Sequence, residues 1–153
     1  MSKTILITGA TSGFGEAMAH VFAAAGNKLI VTGRKESVLA RLKETLVSKH
    51  NVTVHTLCFD VQNKEAVFEA VNSIPAAFKN IDVLINNAGL ALGRDTFQDA
   101  NLDDWETMID TNVKGLLYVS KAVLPLLIQN KKAHIINIGS TAGVEVYKEG
   151  NVY

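Results

Sequence analysis

Cysteine is almost missing from this chain: Cys58 is the single one among 153 residues. No intrachain disulfide can form, and the apolar run around Cys58 reads as a strand holding a buried, inert thiol. Such usage suits a reducing, cytoplasmic compartment. Charge of one sign is missing too. Fifteen basic residues meet fifteen acidic ones, for a net charge of +0, so nothing points to nucleic acid or an anionic membrane. Metal spacing is absent: the four histidines are scattered and read as ordinary surface or strand residues. Long apolar runs are lacking as well. The stretch 115–128 carries Lys121 and Pro125 and is too short to span a bilayer. Met1-Ser2-Lys3 leads straight into a strand, with no signal-peptide pattern. No repeat, low-complexity tract or linker interrupts the chain. What remains is 48% hydrophobic and 20% charged, which is one globular domain over 1–153.

The feature that stands out is Thr8-Gly9-Ala10-Thr11-Ser12-Gly13-Phe14-Gly15. It follows the apolar run Thr4-Ile5-Leu6-Ile7 and opens a helical pattern from Glu16 to Ala25 that stops at Gly26. Strand, glycine-rich turn and helix set a nucleotide pyrophosphate on a helix N-terminus. There the unpaired N–H groups and the dipole favour an anion, and the glycines let it approach. The next strand, 27–32, ends in Gly33-Arg34-Lys35. In dinucleotide folds an acidic residue here binds the ribose 2′-OH and selects NAD. Two cations suit the 2′-phosphate of NADP instead. A charged hydrogen bond of roughly 1.5–3 kcal/mol would favour NADP by about one to two decades.

Strand and helix patterns alternate along the chain, which argues an α/β fold with a parallel sheet. Strands are expected at about 3–8, 28–32, 52–59, 82–85 and 134–138, and helices at about 13–25, 36–49 and 64–73, the last stopped near Pro75. Val38, Leu39, Leu42, Leu46 and Val47 form the apolar stripe of the second helix. The polar alternation of the third strand, with Thr53, His55 and Thr56, suits a sheet edge. Strand four runs into Asn86-Asn87-Ala88-Gly89, where an open α/β sheet places its ligand. A helix carrying Trp105, Met108 and Ile109 follows, with Asp103 or Asp104 as candidate cap, and a separate helix is expected over 112–129. Those three side chains read as packing groups, and Asn112 as a helix cap unless it has a further role. The last strand ends in Gly139-Ser140-Thr141-Ala142-Gly143, and the remainder is loop-like up to Tyr153.

In this order the motifs resemble the short-chain dehydrogenase/reductase family, over the whole sequence. Thr8 to Gly15 matches its Thr-Gly-x-x-x-Gly-x-Gly turn, Asp60 its adenine-side acid after strand three, and Asn86-Asn87-Ala88-Gly89 its motif after strand four. Asn112 sits at the place of the catalytic asparagine, Ser140 follows strand five as the catalytic serine does, and Tyr153 lies thirteen residues further on, at the place of the catalytic tyrosine. The stretches 87–93, 105–112 and 135–143 look like the NADP-dependent 3-hydroxy acid (serine or allo-threonine) dehydrogenase branch, whose members also reduce malonic semialdehyde.

The resemblance implies a Rossmann-type doubly wound sheet of order 3-2-1-4-5, ending after strand five. It implies hydride transfer between NADP and a small 3-hydroxy acid or its carbonyl. Gly9, Thr11, Ser12, Gly13, Phe14, Gly15, Arg34, Lys35, Asp60, Val61, Asn87, Ala88 and Gly89 would hold the cofactor. Ser140 and Tyr153 would bind the substrate oxygen, with Tyr153 as acid/base, Ser140 steadying developing charge and Asn112 ordering a water. Asn86 would bond backbone between strands. The helices around 103–129 would form a homo-oligomer interface, and no metal takes part. A free tyrosine titrates near pH ~10 and needs help at neutrality. In the family a lysine four residues later gives it, and that lysine lies past the last residue here. The 153 residues are therefore expected to be part of a longer enzyme and inactive by themselves, with strand five an edge apolar on both faces. Two rival readings use the same turn. A non-catalytic NADP-binding module has no need of both Ser140 and Tyr153. A methyltransferase would want an acid where Gly33-Arg34 stands.

Overall fold

The apolar runs at the centre of the sheet become strands buried on both faces. In this computed structural model, residues 2–145 and 147–153 are described. Met1, of the opening tripeptide, and Val146, of the final loop, lie outside the described residues. The elements run β1 (Thr4–Ile7), α1 (Gly13–Ala24), β2 (Lys28–Gly33), α2 (Glu36–His50), β3 (Val54–Cys58), α3 (Lys64–Asn72), β4 (Val83–Asn86), α4 (Leu102–Ile109), α5 (Leu116–Leu127) and β5 (His134–Asn137). All strand pairs are parallel, in the order β3-β2-β1-β4-β5. This is the doubly wound Rossmann-type sheet.

Side-chain alternation divides each strand between two cores. Leu6, Ile30 and Leu84 meet Val67 and Val71 of α3 and Val119, Val123 and Leu127 of α5. Ile5, Ile7, Leu29, Val31 and Ile85 meet Ala19 and Ala23 of α1 and Leu39, Leu42 and Leu46 of α2. Fully burying one such side chain contributes about 1.5–3 kcal/mol, so the central strands anchor the domain. β3 takes the edge its polar alternation predicts. β5 takes the other, where Ile135, Ile136 and Ile138 are each 41% exposed.

Four local expectations are corrected. Cys58 is exposed, not buried. It ends the edge strand and pairs in register with Gly33, which offers no side chain to cover it. Val47 and Ile109 also face outward rather than packing inward. The cap of α4 is Asn101, whose side chain accepts from the Asp103 N–H at 3.0 Å, while Asp103 and Asp104 fill the first turn and favour its dipole. Finally, the two helices expected on either side of Asn112 are one helical run. A π turn over Asp110–Gly115 joins α4 to α5 without a break. Gly115 belongs there for contact: a Cβ would come within 2.7 Å of Val61 Cγ2.

Among the described residues, no helix is long and apolar enough to cross a membrane.

Candidate active site

The order of the strands reverses between β1 and β4, and their carboxyl ends part there to leave a crevice. It is a cleft of about 700 Å³. Thr8, at the end of β1, stitches its two sides together. Its buried Oγ1 accepts from the N–H groups of Asn87 and Ala88, both at 3.0 Å. Asn87 answers from β4, donating through Nδ2 to Thr8 O at 2.9 Å and Gly9 O at 3.1 Å. The glycine turn is thereby fixed against the loop that follows β4.

The glycines are demanded by this closeness. Gly9 has φ +63°, and a Cβ there would meet Ala88 Cα at 2.9 Å. Gly15 lies under the turn against Gly9 O and the Asn87 side chain, so it packs the turn and does not line the cleft. Gly33 carries the Thr11 methyl, 2.6 Å from where a Cβ would be. Thr11, Ser12, Gly13 and Phe14 form the floor. Ser12 is the N-cap of α1 but makes no side-chain cap bond, and the space over Gly13 is open. The first N–H groups of α1 are thus left for an anion, which fits a pyrophosphate.

Arg34 and Asp60 stand on the rim of the same cleft, 3.8 Å apart, with Arg34 67% exposed. The long contact leaves most guanidinium donors free, and solvent makes the pair worth little to stability. Asp60 Oδ1 also accepts from the Gln62 N–H at 3.0 Å, which holds its turn. Val61, Ala88 and Gly89 line the cleft. Lys35 does not: it takes the N-cap of α2 instead.

At the far end the cleft reaches Asn112, Ser140 and Tyr153. Asn112 is not a helix cap. It sits inside the π turn and grips Leu90, accepting from its N–H at 2.9 Å and donating to its carbonyl at 2.7 Å. Ser140 Oγ accepts from the Ala142 N–H at 3.2 Å, which leaves its own proton available. Tyr153 is 42% exposed. Asn86 joins strands through both backbone and side chain: its carbonyl accepts from the Ile138 N–H at 2.9 Å, and its Nδ2 donates to Asn137 Oδ1 and, on α5, to Ser120 Oγ, both at 2.9 Å.

The family model for short chain dehydrogenase matches residues 3–153. The chain belongs to the short chain dehydrogenase family. NADP-dependent 3-hydroxy acid dehydrogenase YdfG of Salmonella typhi is 51% identical over 149 residues, which are 97% of this chain and 58% of that protein. Sulfoacetaldehyde reductase 2 of Chromohalobacter salexigens is 51% identical over 154 residues, covering 100% of this chain and 60% of that one. Among solved structures, the closed form of serine dehydrogenase complexed with NADP+ superposes with a TM-score of 0.89 at 50% identity, covering 98% of this chain and 59% of that one. The chain thus spans about three-fifths of the length of these relatives.

As a short chain dehydrogenase, the chain brings its glycine turn, its post-β4 loop and the Ser140–Tyr153 end into one cleft. Sequence reasoning missed the parts that join them. Thr8 stands in the sequence as one letter of the glycine motif, though a polar residue closing an apolar strand is itself a signal. Leu90 and Asn151 gave none. Asn151 reaches back to accept from Trp105 Nε1 at 2.9 Å and donate to Asp95 O at 3.1 Å.

Proposed function

We propose that this chain is the cofactor-binding and catalytic core of an NADP-dependent oxidoreductase acting between a small 3-hydroxy acid and its carbonyl compound. The observation that carries the cofactor is Arg34 on the rim of the cleft, at the end of β2, where no acid stands to bind a ribose 2′-OH. The glycine turn and the open N-terminus of α1 would hold the pyrophosphate. Arg34 would take the 2′-phosphate, and Asp60, held beside it, the adenosine. When bound, the nicotinamide supplies the acceptor or donor of hydride. Ser140 would donate to the substrate oxygen, and Tyr153 would move its proton. Asn112 keeps the Leu90 segment in place beside them.

The substrate class rests on the named relatives. A second copy of the chain is the proposed partner. Leu102, Ile109, Val113, Leu117, Leu124 and Ile128 are all exposed along the α4–α5 run, an apolar surface that suits packing against its like. A cytoplasmic setting accords with such a coenzyme.

The test is a fluorescence titration with NADPH and NADH. The wild-type chain should bind NADPH about one to two decades more tightly, and Arg34→Asp should lose that margin while keeping its NADH affinity. Equal losses for both coenzymes would remove the phosphate assignment.

A further inference from the structure

Between β3 and α3 the chain makes a tight turn that reaches two separate places. One is the rim of the cleft. Asp60 stands there, its Oδ1 accepting from the Gln62 N–H at 3.0 Å and its carbonyl from the Asn63 N–H at 3.1 Å. The other is the π turn. The Gln62 side chain crosses to it and donates through Nε2 to Thr111 Oγ1 at 2.7 Å, 49 residues away in sequence. Val61, between the two, lies against Gly115 at the end of the same π turn.

Thr111 is buried, and Asn112 follows it directly. A π turn carries one residue more than the α-helical path, and each helical residue turns the face by about 100°. Reverting to that path would swing Asn112 off Leu90. Two ties hold the turn. One is exposed: Lys114 and Asp110 pair at 2.7 Å across it, where solvent weakens the attraction. The other is the part-buried Gln62–Thr111 bond, for which water competes less. Asn112 in its turn fixes both polar groups of the Leu90 backbone. A continuous series of contacts therefore joins Asp60, on the adenosine side of the cleft, to the loop beside the reacting end.

Resting on the oxidoreductase reading above, we propose that Gln62 is a positioning residue for hydride transfer. An adenosine seated against Asp60 steadies the Asp60–Gln62 turn. The Gln62 amide then holds Thr111, and the π turn keeps Asn112 on Leu90. The reacting end thus gains order when the adenosine end of the coenzyme is in place, before any substrate arrives. Gln62 does not line the cleft, so it acts through Thr111 and Asn112.

Adenosine 2′,5′-bisphosphate, which fills the adenosine side alone, is the probe, and NMR hydrogen exchange of the Leu90 N–H is the readout. In the wild-type chain a saturating probe should slow that exchange by about two- to tenfold, the range one neutral hydrogen bond supports. Gln62→Met should bind the probe as wild type does and lose the slowing. Thr111→Val should lose the slowing too, and Thr111→Ser, which keeps the hydroxyl, should retain it. A merely structural Gln62 would lower the unfolding midpoint of Gln62→Met and leave the probe-dependent slowing intact; that result refutes the proposal. So does a probe that binds wild type without changing Leu90 exchange, or a Thr111→Ser that behaves as Thr111→Val. If the probe does not bind the wild-type chain at all, the NADP reading itself falls, and the coupling with it.

Discussion

Gly15→Ala adds one methyl group at the most crowded point of the glycine turn. Its Cβ would collide with the Gly9 carbonyl oxygen, reach the Gly9 carbonyl carbon at 2.9 Å and Asn87 Nδ2 at 2.5 Å. Carbon contacts are comfortable at about 3.5–4.0 Å, so something must move. Backbone of Gly9 cannot swing aside as a side chain does. Either α1 lifts from the sheet or Asn87 leaves its bonds to Thr8 O and Gly9 O. Overpacking a tight site costs about 1–3 kcal/mol, and two lost hydrogen bonds add about 1–3 kcal/mol. The sum is a large part of a domain stability of about 5–15 kcal/mol. Urea unfolding should show a lower midpoint and a loss of unfolding free energy of that size, and NADPH titration a weaker affinity as the anion site distorts. Gly139→Ala is the control: nothing lies within 4 Å of its Cβ, and the change should stay within about 0.5 kcal/mol. An unfolding midpoint for Gly15→Ala equal to that of Gly139→Ala would refute the close-packing account of the turn.

Two further outcomes follow from buried polar groups. His55 is half-buried against Phe78, ring centroids 5.4 Å apart. Burial, with Lys43 nearby, lowers its pKa below the ordinary 6.5. The unfolded chain then binds more protons than the folded one in the window below 6.5, so this contribution is complete above 6.5 and is lost as pH falls to the folded value. NMR titration of His55 should give a midpoint below 6.5, and His55→Phe should flatten the acid side of the stability curve; a raised midpoint would contradict the desolvation. Thr8→Val keeps the shape of Thr8 but orphans the N–H groups of Asn87 and Ala88. Each buried amide left unpaired costs about 1–3 kcal/mol, so a melting temperature equal to wild type would mean that another acceptor replaces Oγ1.

The strands and their order were legible because apolar runs alternated with helical stripes and the glycine turn named the first crossover. Direction across an element was less so. Cys58 sits in an apolar run like its neighbours, but no pattern reveals that its cross-strand partner is a glycine with no side chain to cover it. Lys35 follows Arg34 in sequence, yet begins α2 and leaves the cleft to Arg34. Gly115 falls inside the helix expected over 112–129, and no local pattern shows that its lack of a Cβ serves the contact with Val61 in a continuous run. Asn112, at the expected start of that helix, has the chemistry of a cap, yet it is a clamp on Leu90. Long-range ties of this kind, with Asn151 to Trp105 among them, have no period and leave no local trace.

The two ends of the cleft are built to different standards, and this separates binding from turnover. The dinucleotide end stands on β1 and β2, whose inner residues are buried on both faces, and its loops are locked by Thr8, Asn87 and three glycines in contact. The reacting end stands on β5, with isoleucines open on both faces, and Ser140 and Tyr153 are exposed beyond it. Binding needs only the first end to hold its shape. Hydride transfer needs donor, acceptor and proton carrier aligned closely, and small misplacement there costs about 100-fold. The 153-residue chain is therefore expected to bind NADPH but to show no alcohol-dependent NADP reduction. A stopped-time assay with serine, allo-threonine and 3-hydroxypropionate checks this, and turnover at ordinary dehydrogenase rates, about 1–1000 per second, would show that the β5 end is ordered enough without further cover.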